Sequence, residues 1–352
     1  MAYTTIDKPS DYFNTKLYTG TGNSNAITGV GFSPNWVWLK SRSTTQNHIL
    51  TDTVRGATKT IRSNTTDAEN TEPQYLKSFD SDGFTLGTRS EPNGNGATFV
   101  SWNWKAEITS GLSGGSITPS GYSINTTAGF GIYKYTGNGT SGATIAHGLG
   151  AVPKVIFIKR LDNSDAMNMY NESLGNTKTL RVDRNDAPAT SSSFYNNTSP
   201  TSSLITLGNE SGFNGSSSIY VMYAFAEKQG YSKFGSYTGN GNADGTFIYT
   251  GFKPAFTLIK RTDSATGGSW ILFDNKRGTN VINPVDVVLA ASNNQTEADW
   301  GTTFDCDYLS NGFKWRFNGT AGYNNASGAT YIYMAFAENP FVTSTGVPAT
   351  AR

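Results

Sequence analysis

Two histidines, one cysteine and a scatter of carboxylates are the residues of this 352-residue chain best suited to chemistry. His48 and His147 lie far apart, and neither stands beside a nucleophile motif such as Gly-x-Ser-x-Gly on a strand-to-helix turn. His147, in Ala146-His147-Gly148-Leu149-Gly150, reads as a turn residue. The lone Cys306 excludes an intrachain disulfide and an all-cysteine metal site, and a zinc site on two histidines would have to lean on carboxylates. A glycosidase needs two carboxylates about 5 to 10 Å apart, yet no acidic pairing recurs through the repeats described below. Asp80 and Asp82, in Asp-Ser-Asp-Gly, resemble half of a calcium loop. The other ligands and the closing bidentate Glu are missing, so a solvated hairpin turn is expected there. No catalytic, cofactor-binding or metal-binding residue is assigned.

Aromatic side chains are the better lead. Trp36 with Trp38 and Trp102 with Trp104 are spaced i, i+2, so each pair points to one side of its strand. Their counterparts further along are Val155, Phe157, Tyr223, Phe225, Phe256, Leu258, Met334 and Phe336, so these positions require apolar bulk and are read as the inner face of a sandwich. Trp270, Trp300 and Trp315 differ, because no other repeat has an aromatic at the matching place. Trp270 lines up with His48, Trp315 with Leu86, and Trp300 with nothing clear. These three are the candidate ligand or partner contacts, for stacking on a pyranose or a protein. Trp315 is the one of them closest to a core residue.

The elements that must position these residues come in three copies. Tyr18-Thr19-Gly20-Thr21-Gly22, Tyr135-Thr136-Gly137-Asn138-Gly139 and Tyr237-Thr238-Gly239-Asn240-Gly241 open the copies. More Asn, Ser, Thr and Gly follow them rather than a helix, so they are turns and not phosphate loops. Next come Pro34 to Lys40, Pro153 to Lys159 and Pro254 to Lys260, apolar at consecutive positions, as a strand covered on both faces requires. The basic residues after them, Lys40 with Arg42, Lys159 with Arg160 and Lys260 with Arg261, are read as a return to solvent. Leu50 to Gly56 matches Leu272 to Gly278, with Met169 to Gly175 in the same place. Ser78-Phe79-Asp80-Ser81-Asp82-Gly83-Phe84 matches Cys306 to Phe313 as a hairpin, of which the second copy keeps only Ser211-Gly212-Phe213. Thr98 to Trp104, Ile219 to Phe225 and Thr330 to Phe336 close the copies.

Each copy is about a hundred residues, the size of one β-sandwich domain. Charged residues are only 15%, glycines number 39 and aromatics are 13%, a composition of short strands joined by many turns. The expected fold is all-β, with three tandem jelly-roll or lectin-like antiparallel β-sandwich modules. Residues 1–107 hold an N-terminal segment and the first module, 108–130 a Gly/Ser/Thr-rich linker, for which an edge strand at Gly121 to Asn125 is the alternative, 131–232 the second module, and 233–352 the third with an irregular tail.

Lys and Arg number 27 against 26 Asp and Glu, so no summed field draws the chain to nucleic acid. Met1 to Tyr12 lacks the basic and apolar regions of a signal peptide, and no apolar run reaches the ~18 residues of a membrane span. Synthesis in a cytoplasm without membrane insertion is expected.

The opening Met1-Ala2-Tyr3-Thr4-Thr5-Ile6-Asp7, the Tyr-Thr-Gly-x-Gly starts, Gly31 to Lys40, Arg55-Gly56-Ala57-Thr58-Lys59, Phe79 to Thr85 and the ending Thr343 to Arg352 together resemble one known group. The chain is similar to structural proteins of marine bacteriophages, of the cyanophage and pelagiphage type, that carry tandem lectin-like β-sandwich domains and serve as tail fibres or virion appendages. That resemblance covers most of the chain and implies no catalytic residue and no cofactor. It implies a place on the virion surface after synthesis in the host cytoplasm, with other virion proteins and host surface glycans as partners. A homo-oligomer is also implied, commonly a trimer. A capsid or tail decoration protein is the alternative within this class, and a polysaccharide-degrading enzyme the alternative from another.

Overall fold

The computed structural model describes residues 2–278, 283–299, 304–318 and 322–348. Its strands form antiparallel sheets, and the three closing strands organise them. Unit one has a main sheet ordered Phe13–Thr19, Thr98–Trp104, Trp36–Ser41, Ile49–Asp52. Unit two repeats the order with Phe130–Thr136, Ile219–Ala226, Pro153–Arg160 and Met167–Asn171, and unit three with Ser232–Thr238, Thr330–Pro340, Phe252–Arg261 and Ile271–Asp274. Each closing strand lies between the opening strand and the proline-led strand of its unit. In unit two the linker strand Gly121–Asn125 adds to the edge by pairing with Phe130–Thr136.

A small sheet covers one face of each main sheet. It consists of Asn25–Thr28, Gly83–Leu86 and Leu76–Asp80 in unit one, Ala143–Ala146 and Leu204–Leu207 in unit two, and Phe247–Tyr249, Gly312–Trp315 and Cys306–Leu309 in unit three. The sandwich-type all-β fold follows from this layering. Side chains alternate along a strand, so Val37 and Leu39 meet Phe84 and Leu86 inside unit one. Ile156 and Ile158 meet Ile205 and Leu207 in unit two, and Ile259 meets Phe313 and Trp315 in unit three.

Trp36, Trp38, Trp102 and Trp104 point the other way, which corrects their reading as the inside of a sandwich. They share one central core with Phe13, Val155, Phe157, Tyr223, Phe225, Phe256, Leu258, Met334 and Phe336, drawn from all three units. The Trp36 ring stacks on Tyr223 at 4.4 Å, Trp104 meets Phe336 edge-on at 5.6 Å, and Phe225 meets Phe336 at 5.8 Å. Both faces of each proline-led strand are buried because one faces its own small sheet and the other faces two neighbouring units. Thr4 and Ile6 join the assembly at the junction of units two and three, where the Thr4 hydroxyl donates to Gln229 O at 2.7 Å.

The Tyr-Thr-Gly-x-Gly turns wrap around a buried amide. Asn93, Asn214 and Asn325 each accept from the backbone N–H after the first glycine, at 2.8 to 3.1 Å, and each Nδ2 donates to carbonyls on either side. A Cβ on Gly20, Gly137 or Gly239 would lie 2.2, 2.4 or 2.3 Å from a carbonyl oxygen of the facing chain, so only glycine fits. In units one and two this asparagine ends the helical turns Ser90–Asn93 and Ser211–Asn214. Ser211-Gly212-Phe213 is therefore the partner of Ser90-Glu91-Pro92 and not a remnant of the hairpin. Leu204–Leu207 takes the place of Gly83–Leu86, since both pair with the first small-sheet strand of their unit.

Candidate ligand-contact surface

The residues with obvious chemistry are engaged in holding the fold. Trp38 Nε1 can only donate, so its 2.8 Å bond to His48 Nδ1 leaves the proton of the imidazole on Nε2, which donates to Ala290 O of unit three at 3.0 Å. His147 is arranged alike, with Nδ1 accepting from Leu149 N at 3.2 Å and Nε2 donating to Thr201 O at 3.0 Å. Burial pushes both imidazoles below their usual range. Burial pushes the Cys306 thiol up. Asp80 and Asp82 do form a hairpin turn, and Asp82 also receives Gly29 N and Gly31 N at 2.9 and 2.7 Å, which hold its carboxyl below the usual range.

Lys40, Lys159 and Lys260 are buried rather than returned to solvent. The physical reason lies in the neighbouring units. Lys40 Nζ donates to Asn294 O of unit three, and Lys260 Nζ to Asn185 O of unit two. Lys159 Nζ donates to Asp165 O, whose own N–H is held by Thr66 O of unit one. Burial lowers each ammonium to about 8.

Two seams carry buried ion pairs. Arg55 Nε meets Asp52 Oδ2 at 2.5 Å, and the hydroxyl of Tyr223 in unit two donates to the same oxygen at 2.7 Å. Arg277 Nε meets Asp274 Oδ2 at 2.6 Å, where Trp102 Nε1 of unit one donates at 2.9 Å. Both pairs are fully buried, and each arginine reaches a further carboxylate, Glu69 or Glu297, at 3.2 Å. At the third seam the equivalent residues are Asn171 and Leu174, and Leu174 packs against the central core.

Trp270 and Trp315 cannot present a ring face to a ligand, being 1% and 0% exposed. Trp270 sits at the seam of units two and three and donates from Nε1 to Arg181 O at 3.0 Å. Trp315 fills the core of unit three and donates to the Tyr237 hydroxyl at 3.1 Å. Trp300 lies outside the described residues.

Among the described residues, the aromatics that are exposed and unmatched are Phe247 and Tyr249, at 43% and 54%. They flank buried Ile248 on the edge strand Phe247–Tyr249 and so share the outer face of the small sheet of unit three. Register assigns their equivalents: Phe247 opposes Lys314 as Ala26 opposes Thr85 and Thr144 opposes Thr206. Tyr249 likewise corresponds to Thr28 and Ala146. Two small or hydroxyl-bearing positions have thus become large aromatic ones in a single copy. Lys314 beside them pairs with Asp244, and the Tyr3 hydroxyl, donating to Gly251 O at 2.7 Å, backs Tyr249. The same test of unmatched aromatics that selected Trp270 and Trp315 could have found this pair, had the strand Phe247–Tyr249 been aligned with Asn25–Thr28.

Against known families, the profile of DUF7483, a domain of unknown function, matches residues 8–340. The chain belongs to this family. The DUF7483 match runs unbroken through all three units, as suits a domain whose central core none of them can build alone. No curated protein matches the chain.

Proposed function

We propose that this DUF7483 protein is a non-enzymatic structural protein of a bacteriophage virion, a tail fibre or appendage that contacts host surface glycans through Phe247 and Tyr249. The observation that carries the contact is the exposed aromatic pair on one edge strand, where the other copies have Ala26, Thr28, Thr144 and Ala146. Side chains at i and i+2 of a strand stand about 7 Å apart on one face, a spacing that lets two rings lie along an extended saccharide. Aromatic rings stack on the C–H faces of sugars while Lys314 and Asp244 offer polar groups at the rim. The virion setting rests on the sequence resemblance. The repeated turns, lysines and closing strands support a load-resisting part, because they spend their polar groups on closing the ring. A threefold-repeated ring in one chain can seat on the axis of a trimeric fibre, or assemble further itself, with other virion proteins as partners.

Binding of the purified chain to host cells and to extracted surface polysaccharide is the direct test. Phe247→Ala with Tyr249→Ala is expected to weaken it at least about tenfold, as removal of two stacked rings should. Absence of binding by the unaltered chain would overturn the reading. A decoration role is the second reading, favoured by the position of Phe247–Tyr249 at a sheet edge, where a partner strand can add. Locating the protein in an intact particle separates the two, and release of reducing ends from the host polysaccharide would replace both by the enzyme reading.

A further inference from the structure

A cleft of about 390 Å³ opens between unit one and the edge strand Gly121–Asn125, and no charged residue lines it. The volume falls in the range of small-molecule sites, about 300–1,000 Å³. Units one and three begin their main sheets at Phe13–Thr19 and Ser232–Thr238, so the strand that forms this wall belongs to unit two alone.

Its polar groups are fixed in advance. Asn35 Oδ1 accepts from Ala106 N at 2.8 Å, which orients Nδ2 toward the Thr53 hydroxyl at 3.2 Å and the Ser123 hydroxyl at 3.5 Å. The exposed Thr53 hydroxyl accepts in its bond and keeps its proton to give, while Ser123, only 1% exposed, serves to hold the Asn35 amide. The strand edge adds a second set. Ile124 exchanges both backbone bonds with Ile108 at 2.9 Å, on the side away from Phe130–Thr136. Ladder bonds alternate in direction along an antiparallel strand, so Tyr122 also turns its N–H and C=O outward, beyond the end of the Ile108 bridge. Its side chain packs against the core of unit two, and what Tyr122 lends to the cleft is this amide edge. Val54 and Pro119 supply apolar wall. A Cβ on Gly121 would lie 3.2 Å from Val54 Cγ1, so glycine there keeps the cleft open.

Paired neutral donors and acceptors beside a small apolar wall are the chemistry of a pyranose ring, whose hydroxyls give and accept and whose C–H face is apolar. A lining without cationic side chains gives a phosphate or a carboxylate no countercharge. We propose that the cleft binds one neutral sugar residue, with Thr53 and the Tyr122 backbone as its hydrogen-bonding partners. The site shares a ligand class with the aromatic surface and is distinct from it in place.

The test titrates the full chain with glucose, galactose, mannose and N-acetylglucosamine, reading saturation transfer to the sugar and the amide shifts of Gly121, Tyr122 and Ser123. At least one sugar should move those amides. Gly121→Val should abolish the effect, and Thr53→Ala, a change at an exposed position, should weaken binding about three- to tenfold. Phe247→Ala should leave it unchanged, so that loss of the aromatic surface and loss of the cleft read out separately. Unmoved amides at millimolar sugar, full binding by both Gly121→Val and Thr53→Ala, stronger binding of glucuronate than of glucose, or a response to an uncharged extended peptide alone would each overturn the proposal.

Discussion

Two kinds of seam join the units. Units one and two meet over Asp52, Arg55 and Tyr223, and units three and one over Asp274, Arg277 and Trp102, each with a fully buried ion pair. Units two and three meet with Asn171 and Leu174 in the equivalent places and Met334 where the others have Tyr223 or Trp102. The partner changes with the pair: a ring that can donate a hydrogen bond faces each aspartate, and a thioether occupies the position at the seam where there is no aspartate. Closing the ring therefore does not require a buried Asp–Arg pair at every seam. Desolvating an ion pair offsets much of its attraction, and a seam with Asn171 and Leu174 in those places closes as well. What the charged seams add is discrimination, since Asp52 next to Met334 would lose the hydrogen bond that the Tyr223 hydroxyl donates to it.

That comparison can be broken most sharply at Arg277. Arg277→Met should destabilise the protein by about 3–5 kcal/mol in urea unfolding, because it strands the Asp274 charge in the core. The pair Asp274→Asn with Arg277→Leu, copying the third seam, should recover most of that loss. A double variant as unstable as the single one would sink the equivalence of the seams. Trp104→Ala should cost about 3–5 kcal/mol as well, because its ring touches residues of all three units.

The lysines give a pH test common to all three seams. Lys40, Lys159 and Lys260 titrate at about 8 in the fold against 10.5 as the ordinary value. Between those values the unfolded chain binds more protons, so stability rises with pH. The melting temperature should be higher at pH 9.5 than at 7.5, and Lys→Met at all three positions should flatten the difference. Buried tyrosines such as Tyr223 and Tyr237, held protonated by burial, reverse the slope once unfolded tyrosines ionise near 10.0. On the acid side, His48 and His147 are held below 6.5, so stability should fall as pH drops through that value. The smallest effect belongs to Phe247→Ala with Tyr249→Ala. These exposed changes should move stability by no more than about 0.5 kcal/mol each, whatever they do to binding.

Much of the fold was legible in the residues. The main strands, their succession along each copy and the hairpins at Asp82-Gly83 and Asn311-Gly312 follow from apolar runs and turn chemistry, while their order in the sheet does not. The candidate site was less so. Trp270 and Trp315 stand out by type, but type does not say which way a ring faces, and a seam can bury a residue that no other copy matches. Phe247 and Tyr249 lie on a three-residue strand, too short to align before the register was known.

The sequence by itself determined that this protein is all-β, repeats one strand pattern three times and needs glycine at each Tyr-Thr-Gly turn, because these depend on neighbours along the chain. Only the tertiary structure decided what Trp36, Trp38, Trp102 and Trp104 are for, why Lys40, Lys159 and Lys260 are dry, and which aromatics reach solvent. A strand apolar on both faces states that two partners cover it. Whether the second partner is another sheet of the same unit or the faces of two other units is settled by contacts between residues more than a hundred positions apart, such as Trp36 with Tyr223.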